Sequence, residues 1–253
     1  MNRLARQAAF YLLLLGLWQA GAWARIWPPS LFPSPQSVAQ SLARGFSDHS
    51  FWIAIALSMK RILIGYGISV VLGGALGMVI ASNKTLEETL GSLTVSLQSL
   101  PNVCWVPLAA LWFGVTERAI LFVVVIGALL SVTISMESAR KEIPKIYAMA
   151  GKNLGARGWK LFLYVLLPAS LPQIAAGLKQ GWAFAWRSLI SGEMIYGALG
   201  LGQLLMVGRQ RNDMSVVIAV MLMIVGIGVV ADKLIFQTIE KQLRRRWGTE
   251  AVS

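Results

Sequence analysis

The sequence has almost none of the side chains that bind metals or form disulfides. Cys104 is its one cysteine and His49 its one histidine. A disulfide within the chain is therefore excluded, and a Cys/His metal site is not expected. We interpret Cys104, which lies in an apolar stretch, as an inert small hydrophobe. No pairing of a nucleophile with a base is visible, so the sequence does not predict an enzyme.

Charged residues are also scarce. They make up 13% of the chain, whereas hydrophobic residues make up 56%. A typical soluble domain has about 25% charged residues. Several apolar stretches reach the roughly 20 residues that a helix needs to cross a bilayer core about 30 Å thick. The sequence therefore predicts an all-α membrane protein that crosses the bilayer several times.

Acidic residues are rarer than basic ones. The chain has 11 Asp and Glu and 23 Lys and Arg, which gives a net charge of +12. A basic chain can bind nucleic acid, but that class needs a basic face interleaved with stacking aromatic residues, and none is visible. The basic residues instead cluster in short segments between apolar stretches. This distribution is typical of the charges that set membrane topology.

A phosphate-binding loop of the form G-x-x-x-x-G-K-[ST] occurs nowhere in the sequence. The chain is therefore not expected to bind ATP in that manner, and any ATP that drives it must be hydrolysed by another chain. We expect no cofactor and no metal in this chain.

Six membrane spans are predicted within a single transmembrane domain over residues 1–253. The first could be a cleaved signal peptide, because Ala22-Trp23-Ala24 loosely fits a cleavage site. Its length and the nearby Trp18, Trp23 and Trp27 favour a retained span with an interfacial aromatic belt. The approximate spans are 8–24, 51–81, 88–113, 119–137, 169–193 and 214–236.

Most Lys and Arg outside the spans lie in the two terminal segments and in the loop 138–168. Loops rich in Lys and Arg stay on the cytoplasmic side of a membrane. An even number of spans puts both termini on one side, so we predict that the termini and the 138–168 loop are cytoplasmic.

Small residues recur at every fourth position of the second span, at Gly65, Ser69, Gly73, Gly77 and Ala81. This spacing places them on one face of a helix, where another helix can approach closely.

The uncharged stretch 90–113 contains Pro101 and Pro107, which are predicted to break it into two pieces. Backbone groups freed at membrane depth must face protein or a watery cavity. The break, with Gln98 and Asn102 at its edge, is therefore a candidate element of a solute pathway. A simple kink between packed helices is an equally good interpretation.

The fifth span carries charges that are costly inside a membrane and usually face a cavity or a partner. Lys179, Trp182, Trp186 and Glu193 fall near one face of a helix, and Arg187 lies on an adjoining face. We predict that Arg187 contacts a passing anion, with Trp182 or Trp186 lining the route. Alternatively, Arg187 pairs with a carboxylate or with backbone carbonyls and only supports the bundle.

Two further charges of the fifth span have weaker interpretations. Lys179 is expected to extend its ammonium group to the inner membrane surface. Glu193 is expected to lie near the outer end, where it closes a gate or pairs with Arg209 or Arg211.

The cytoplasmic loop resembles the signature of permease subunits of bacterial ABC importers, which reads E-A-A-x-x-x-G, nine residues, then I-x-L-P. Here Met149-Ala150-Gly151 is followed after three residues by Gly155, and after nine more by Val165-Leu166-Leu167-Pro168. The spacing fits throughout. Met149 replaces the glutamate and Gly151 the second alanine, so an ionic or capping role of the glutamate is lost.

Motifs elsewhere resemble the sulfonate, taurine, nitrate and bicarbonate branch of that family, so the resemblance covers nearly the whole chain. The motifs are Leu31-Phe32-Pro33-Ser34-Pro35, Leu111-Trp112-Phe113-Gly114, Leu171-Pro172 with Ala176-Gly177-Leu178, and Gly192-Glu193-Met194 with Gly200-Leu201-Gly202.

The resemblance implies the six-helix fold of a type I ABC importer permease in the bacterial inner membrane. It implies a homodimer, two ATPase subunits that bind ATP and Mg²⁺, and a periplasmic binding protein that delivers a small anion. The 144–168 segment would couple to the ATPases. Its expected coupling residues are Met149, Ala150, Gly151, Lys152, Leu154, Gly155 and Pro168. Within the loop, Leu154, Leu161 and Phe162 are expected to pack against the spans.

Two alternatives remain. A permease of the same fold could carry a different small solute, such as a vitamin precursor. A secondary transporter or channel would need no ATPase, but that class tends to have inverted repeats and acidic relays, and acidic residues are scarce in these spans.

Overall fold

The computed structural model of the protein describes residues 3–247, and all regular structure in that range is helical. The two ends of the predicted 1–253 domain, residues 1–2 and 248–253, lie outside it. The helices of seven residues or more are α1 (Arg3–Trp23), α2 (Pro35–Ser47), α3 (Ser50–Ile80), α4 (Ser92–Gln98), α5 (Trp105–Phe113), α6 (Glu117–Lys141), α7 (Lys145–Asn153), α8 (Leu167–Tyr196), α9 (Leu201–Gln210), α10 (Met214–Ala231) and α11 (Gln237–Trp247).

Short π-helical turns extend three of these helices. Glu87–Gly91 leads into α4, Phe162–Leu166 leads into α8, and Asp232–Phe236 joins α10 to α11. The turn before α8 ends at Leu166, two residues before Pro168. Proline lacks an N–H and its ring crowds the carbonyl one turn earlier, so a widened turn lets the helix continue through it.

Four helical stretches are long and apolar enough to cross a membrane: Ser50–Ile80, Glu117–Lys141, Phe162–Tyr196 and Met214–Leu243. They coincide with the second, fourth, fifth and sixth predicted spans and extend beyond the predicted limits at several ends. The first predicted span falls on α1. The third falls on the interrupted region of α4 and α5, where Asn102–Phe113 is a shorter apolar helix.

The third predicted span breaks at one proline, not two. Regular helix ends at Gln98, and a short 3₁₀ turn, Asn102–Cys104, follows Pro101. The prediction that Pro107 also breaks the stretch is wrong. Pro107 is the third residue of α5, and a helix tolerates proline in its first turn because those N–H groups have no partner within the helix.

The chain divides into two compact units. One contains the residues up to Met59 together with Glu193–Gly226, and the other contains Lys60–Gly192 together with the chain from Ile227 onwards.

In the second unit, α6 packs on the small-residue face of α3, which confirms the prediction made from its spacing. A Cβ on Gly77 would lie 2.5 Å from the carbonyl oxygen of Thr133, and one on Gly73 would lie 2.8 Å from that of Leu129. The hydroxyl of Ser69 donates to the carbonyl of Val125 at 2.9 Å. Larger side chains would force the two helices apart.

Helix α6 also lies close to α8 in the same unit. A Cβ on Gly181 would lie 2.8 Å from Val132, and Gly177 packs directly on Ser135. Near its C-terminal end, the Nζ of Lys141 pairs with Glu137 at 2.7 Å and with Glu87 at 2.8 Å. Close packing and this ion network hold α6 in place.

In the first unit, α1 and the segment before α2 are joined by side-chain contacts. The indole Nε1 of Trp18 donates to the carbonyl of Pro33 at 2.9 Å. The ring of Phe32 lies against Gly21, where a Cβ would be 3.2 Å away. These contacts join the C-terminal part of α1 to its unit, whereas residues 5–17 of the helix are exposed.

Candidate functional site

A cavity of about 370 Å³ lies in the second unit beside α8. Three of the predicted pathway residues, Trp182, Trp186 and Arg187, line it together with Lys179. The remaining lining residues are Ala183, Gly228, Asp232 and Phe236.

The helical period brings the α8 residues together at the cavity. Lys179, Trp182 and Trp186 follow one another at spacings of three and four residues, so they share one face of the helix. The ring of Trp182 meets Tyr66 edge-on, with centroids 5.3 Å apart, and lies 6.1 Å from the ring of Phe236. These contacts fix the orientation of an indole that is largely buried.

Lys179 does not simply extend to a membrane surface as predicted. Its ammonium group pairs with the carboxylate of Asp232 at 2.8 Å. This partner was not predicted, although Asp232 is the only carboxylate of the predicted span 214–236. An acidic residue in an apolar span is costly unless it is paired, so the presence of Asp232 there could have indicated a basic partner.

Arg187 has a different environment. Its side chain is exposed, its Nε donates to the carbonyl of Ala183 at 3.1 Å, and its guanidinium carbon lies 4.8 Å from the centroid of the Phe184 ring. Within the described part of the chain, it has no ion pair. Since Lys179 and Asp232 neutralise each other, the lining of the cavity carries one uncompensated positive charge.

Asn102 and Gln98 do not line this cavity. The amide Nδ2 of Asn102 donates to the hydroxyl of Ser188, a buried residue of α8, at 2.8 Å. Gly127 of α6 packs against the same hydroxyl and leaves no space for a side chain. The break after α4 is thus fastened to α8, while Gln98 is the half-buried last residue of α4.

Glu193 lies in the first unit and is fully buried, with 0% exposure. The hydroxyl of Ser58 donates to its carboxylate at 2.8 Å, and the backbone N–H of Gly202 donates to it at 3.0 Å. The same hydroxyl accepts the N–H of Leu201 at 3.0 Å. Together the two side chains satisfy free N–H groups at the start of α9.

The predictions for Glu193 therefore need correction. A fully buried carboxylate does not line a pathway in this structure, and Arg209 and Arg211, its predicted partners, are exposed and outside its described hydrogen bonds. Gly200 packs directly on the carboxylate, so the loop before α9 encloses it. Its position supports a role in anchoring α9.

The predicted coupling segment begins with α7 and presents apolar side chains outward. Met149 is 62% exposed and Leu154 is 88% exposed, and Ala150 and Lys152 are also exposed. The prediction that Leu154 packs against the spans is wrong. Ile146, Tyr147 and Tyr164 add further exposed apolar surface to this segment.

Gly151 faces inward, not toward a partner. A Cβ on it would lie 2.7 Å from Leu161 and 3.0 Å from Val165. Leu161 is buried, as predicted, and Phe162 is half-buried. The small residue at position 151 lets α7 approach the helical run that leads into α8.

Gly155 makes the turn that its position in the motif predicts. Its φ is +84°, which glycine adopts readily. The N–H of Gly155 donates to the carbonyl of Lys152, and that of Ala156 donates to the carbonyl of Gly151. This pair of bonds is a Schellman motif, which satisfies carbonyls at the end of α7. Pro168 is the half-buried second residue of α8.

Comparison with known proteins places this geometry in a family. Residues 69–245 match the family model described as binding-protein-dependent transport system inner membrane component. A putative ABC transporter permease of Methanocaldococcus jannaschii is 34% identical over 70% of this chain and 67% of its own length. The taurine transport system permease protein TauC of Escherichia coli is 27% identical over 87% of this chain and 79% of its own. The nitrate import permease protein NrtB of Synechocystis is 25% identical over 92% and 87%, respectively.

Solved structures share the fold at lower identity. An amino acid ABC transporter crystallised with histidines matches with a TM-score of 0.67 at 14% identity, covering 79% of this chain and 97% of that one. An inward-facing MetNI methionine ABC transporter matches with a TM-score of 0.63 at 19% identity, covering 74% and 92%. These likenesses confirm the predicted type I ABC importer permease fold.

Proposed function

The chain belongs to the family of binding-protein-dependent transport system inner membrane components, and we propose that the solute it carries is a small anion of the sulfonate, taurine or nitrate kind. It is the permease subunit of an ABC importer. The observation that carries the proposal for the solute is the uncompensated guanidinium of Arg187 at the cavity beside α8.

The chemistry of the cavity supports an anion. Arg187 lies on a membrane-spanning helix, where an ion that meets neither water nor a counter-ion is costly. Its planar group has several N–H donors beyond the one that bonds Ala183, and these match the paired oxygens of sulfonate, nitrate or carboxylate. The names of the relatives support the same solutes, since they include taurine and nitrate permeases.

The walls of the cavity support a short residence of the solute. Trp182 and Trp186 supply rigid apolar surface, and Lys179 is occupied by Asp232. The single positive charge of Arg187 binds an anion less tightly than several positive charges around it would. A transport pathway needs such a site, because it must also release its solute. Asn102 is hydrogen-bonded to Ser188 of α8. This bond would hold the break between α4 and α5 close to α8 as the bundle moves.

The exposed apolar residues of α7 support docking on a separate ATPase. Met149, Leu154 and their neighbours form a patch that a partner surface would cover, as apolar patches at interfaces do. In this proposal two ATPase subunits dock on two copies of this chain and bind the ATP and Mg²⁺. The chain itself catalyses no covalent step, and a periplasmic binding protein delivers the anion.

We further propose that both termini and the α7 segment lie in the cytoplasm and that α1 is a retained span of the inner membrane. The distribution of Lys and Arg supports the orientation. The contacts of Trp18 with Pro33 and of Gly21 with Phe32 support retention of α1.

The test is uptake of labelled taurine, an alkanesulfonate and nitrate by cells that express the chain with its ATPase and binding protein. Arg187→Gln is expected to abolish uptake, because the positive charge that binds the anion is lost. The purified complex should still assemble. Arg187→Lys, which keeps the charge without the planar group, is expected to retain part of it. Arg118→Gln, a change of a basic residue outside the cavity, is the matched control.

Unchanged uptake in Arg187→Gln would reject the role of this residue. Uptake of a neutral vitamin precursor in place of the anions would support the alternative solute class. Uptake that persists without the ATPase subunit would support a secondary transporter.

A further inference from the structure

A second cavity, of about 460 Å³, lies in the second unit and is separate from the one lined by Arg187. Its walls come from the C-terminal end of α3, the C-terminal end of α6 and the helical run that leads into α8. The apolar side chains that matter here are Met78, Met136, Ile143, Phe162, Leu166 and Ile174. Its volume is in the range of about 300–1,000 Å³ that small-molecule sites occupy.

Among the described residues that line this cavity, Arg140 is the one that carries a charge. Its side chain is exposed, and it has no ion pair within residues 3–247. The adjacent Lys141, by contrast, is held between Glu137 and Glu87. The hydroxyl of Ser170 donates its hydrogen bond to the carbonyl of Leu167. The cavity therefore combines an apolar interior with a single available guanidinium.

We propose that this cavity binds an anionic phospholipid of the inner leaflet, with an acyl chain in the apolar interior and the headgroup phosphate on Arg140. The inference rests on the proposed topology, which places these helix ends at the cytoplasmic surface. Basic pockets between membrane helices on that side bind anionic headgroups. A small soluble anion would satisfy Arg140 but would leave the apolar walls uncovered.

The position of the cavity connects the lipid to coupling. Phe162 and Leu166 line the cavity, and Leu161 and Val165 of the same short run pack on Gly151 of α7. An acyl chain behind this run supports the surface on which α7 rests. Occupancy by lipid therefore restrains the segment that would receive the movement of the ATPase.

The experiment measures lipid retained by the purified permease complex, using native mass spectrometry after exchange in mixed vesicles of phosphatidylglycerol and phosphatidylcholine. The wild type is expected to retain phosphatidylglycerol in preference to phosphatidylcholine. Arg140→Gln is expected to weaken this preference about fivefold, the effect of one basic residue near an anionic surface. Arg140→Lys should keep it.

Two further variants separate charge from cavity. Lys160→Gln removes an exposed basic residue of the same loop that does not line the cavity, and it should retain lipid as the wild type does. Ala81→Leu narrows the cavity and should lower retention without removing a charge. Size-exclusion profiles of each complex show whether the variant has folded and assembled.

Equal retention of the two lipids by the wild type, or equal preference in Arg140→Gln and Lys160→Gln, would overturn the proposal. Displacement of the lipid by inorganic phosphate alone would also overturn it, because the site would then recognise a free anion. If Ala81→Leu weakened binding of the ATPase but not of lipid, the occupant would be the partner protein. Retention requires neither transport nor ATP, so these outcomes are distinct from failure of the Arg187 test.

Discussion

The cavity beside α8 and the segment around α7 use side chains in opposite ways. Near the cavity, charged and aromatic side chains are held by partners from other helical segments, as Lys179 is by Asp232 and Trp182 is by Tyr66. Around α7, apolar side chains such as Met149 and Leu154 face outward, while a glycine, Gly151, faces inward. The contrast shows that each region exposes what its environment does not supply. Under the proposed function, the cavity beside α8 keeps a charge available for an anion, and the segment around α7 keeps apolar surface available for a partner.

The strongest test of the contrast replaces the outward apolar residue. Leu154→Asp should leave the stability of the permease within about 0.5 kcal/mol, because the side chain is 88% exposed. It should weaken association with the ATPase by 2 kcal/mol or more, about thirtyfold, if Leu154 is a central contact. The measurement is co-purification and stimulated ATP hydrolysis.

Leu161→Asp is the matched change on the inward side of the same segment. It buries a charge beside Gly151 and should destabilise the permease itself. If both variants lowered stability equally and neither affected the ATPase, the proposed division between outward and inward residues would be wrong.

A second test concerns the ion pair at the cavity. Asp232→Ala leaves Lys179 as an added positive charge, so we expect tighter anion binding, slower release and uptake reduced about tenfold. Both side chains are more than a third exposed, so the loss of stability should be small, about 1 kcal/mol. The measurements are initial uptake rates and the melting temperature in detergent.

The exchanged pair Lys179→Asp/Asp232→Lys serves as the control, because it restores neutrality with the same two groups. Uptake by the exchanged pair should recover part of the loss. Equal rates in the single and exchanged variants would show that the position of each group, not the neutral pair, is what transport requires.

A smaller effect is expected at the turn that ends α7. Gly155→Ala forces a side chain into a backbone with φ of +84°, which should cost about 1 kcal/mol although open space surrounds the site. Stimulated ATP hydrolysis should fall severalfold, because the end of α7 frays. Ala156→Gly, at the next position, is the control. Wild-type stimulation in Gly155→Ala would mean that coupling does not depend on this turn.

Periodicity predicted much of the site. The spacing of Gly65, Gly73 and Gly77 predicted the close approach of another helix, and α6 occupies that face. The spacing of Lys179, Trp182, Trp186 and Glu193 predicted a shared face; the first three line one cavity, and Glu193 is not among its lining residues. These predictions succeed because the helical repeat is a local property of the backbone.

Partners distant in sequence were not predictable in the same way. Each of these contacts joins residues from different helices or loops: Lys179 with Asp232, Asn102 with Ser188, and Glu193 with Ser58 and Gly202. A charged residue in a span indicates that a partner is present, but several residues along the chain could be that partner. The exposure of Leu154, the C-cap of α7, was missed for a related reason, since spacing along the chain does not show which side of α7 packs on other segments.

The sequence by itself determined the class of this protein: helices apolar enough to span a bilayer, a basic loop between two of them, and a motif whose glycine must turn the chain. Each of these depends on composition or on spacing within one helix or turn. Only the tertiary structure decided which charge near α8 is neutralised, that Glu193 anchors α9, and that Arg140 lines an apolar cavity. Those facts depend on which helices lie side by side, and the energy of that packing is spread over contacts between residues far apart in the chain.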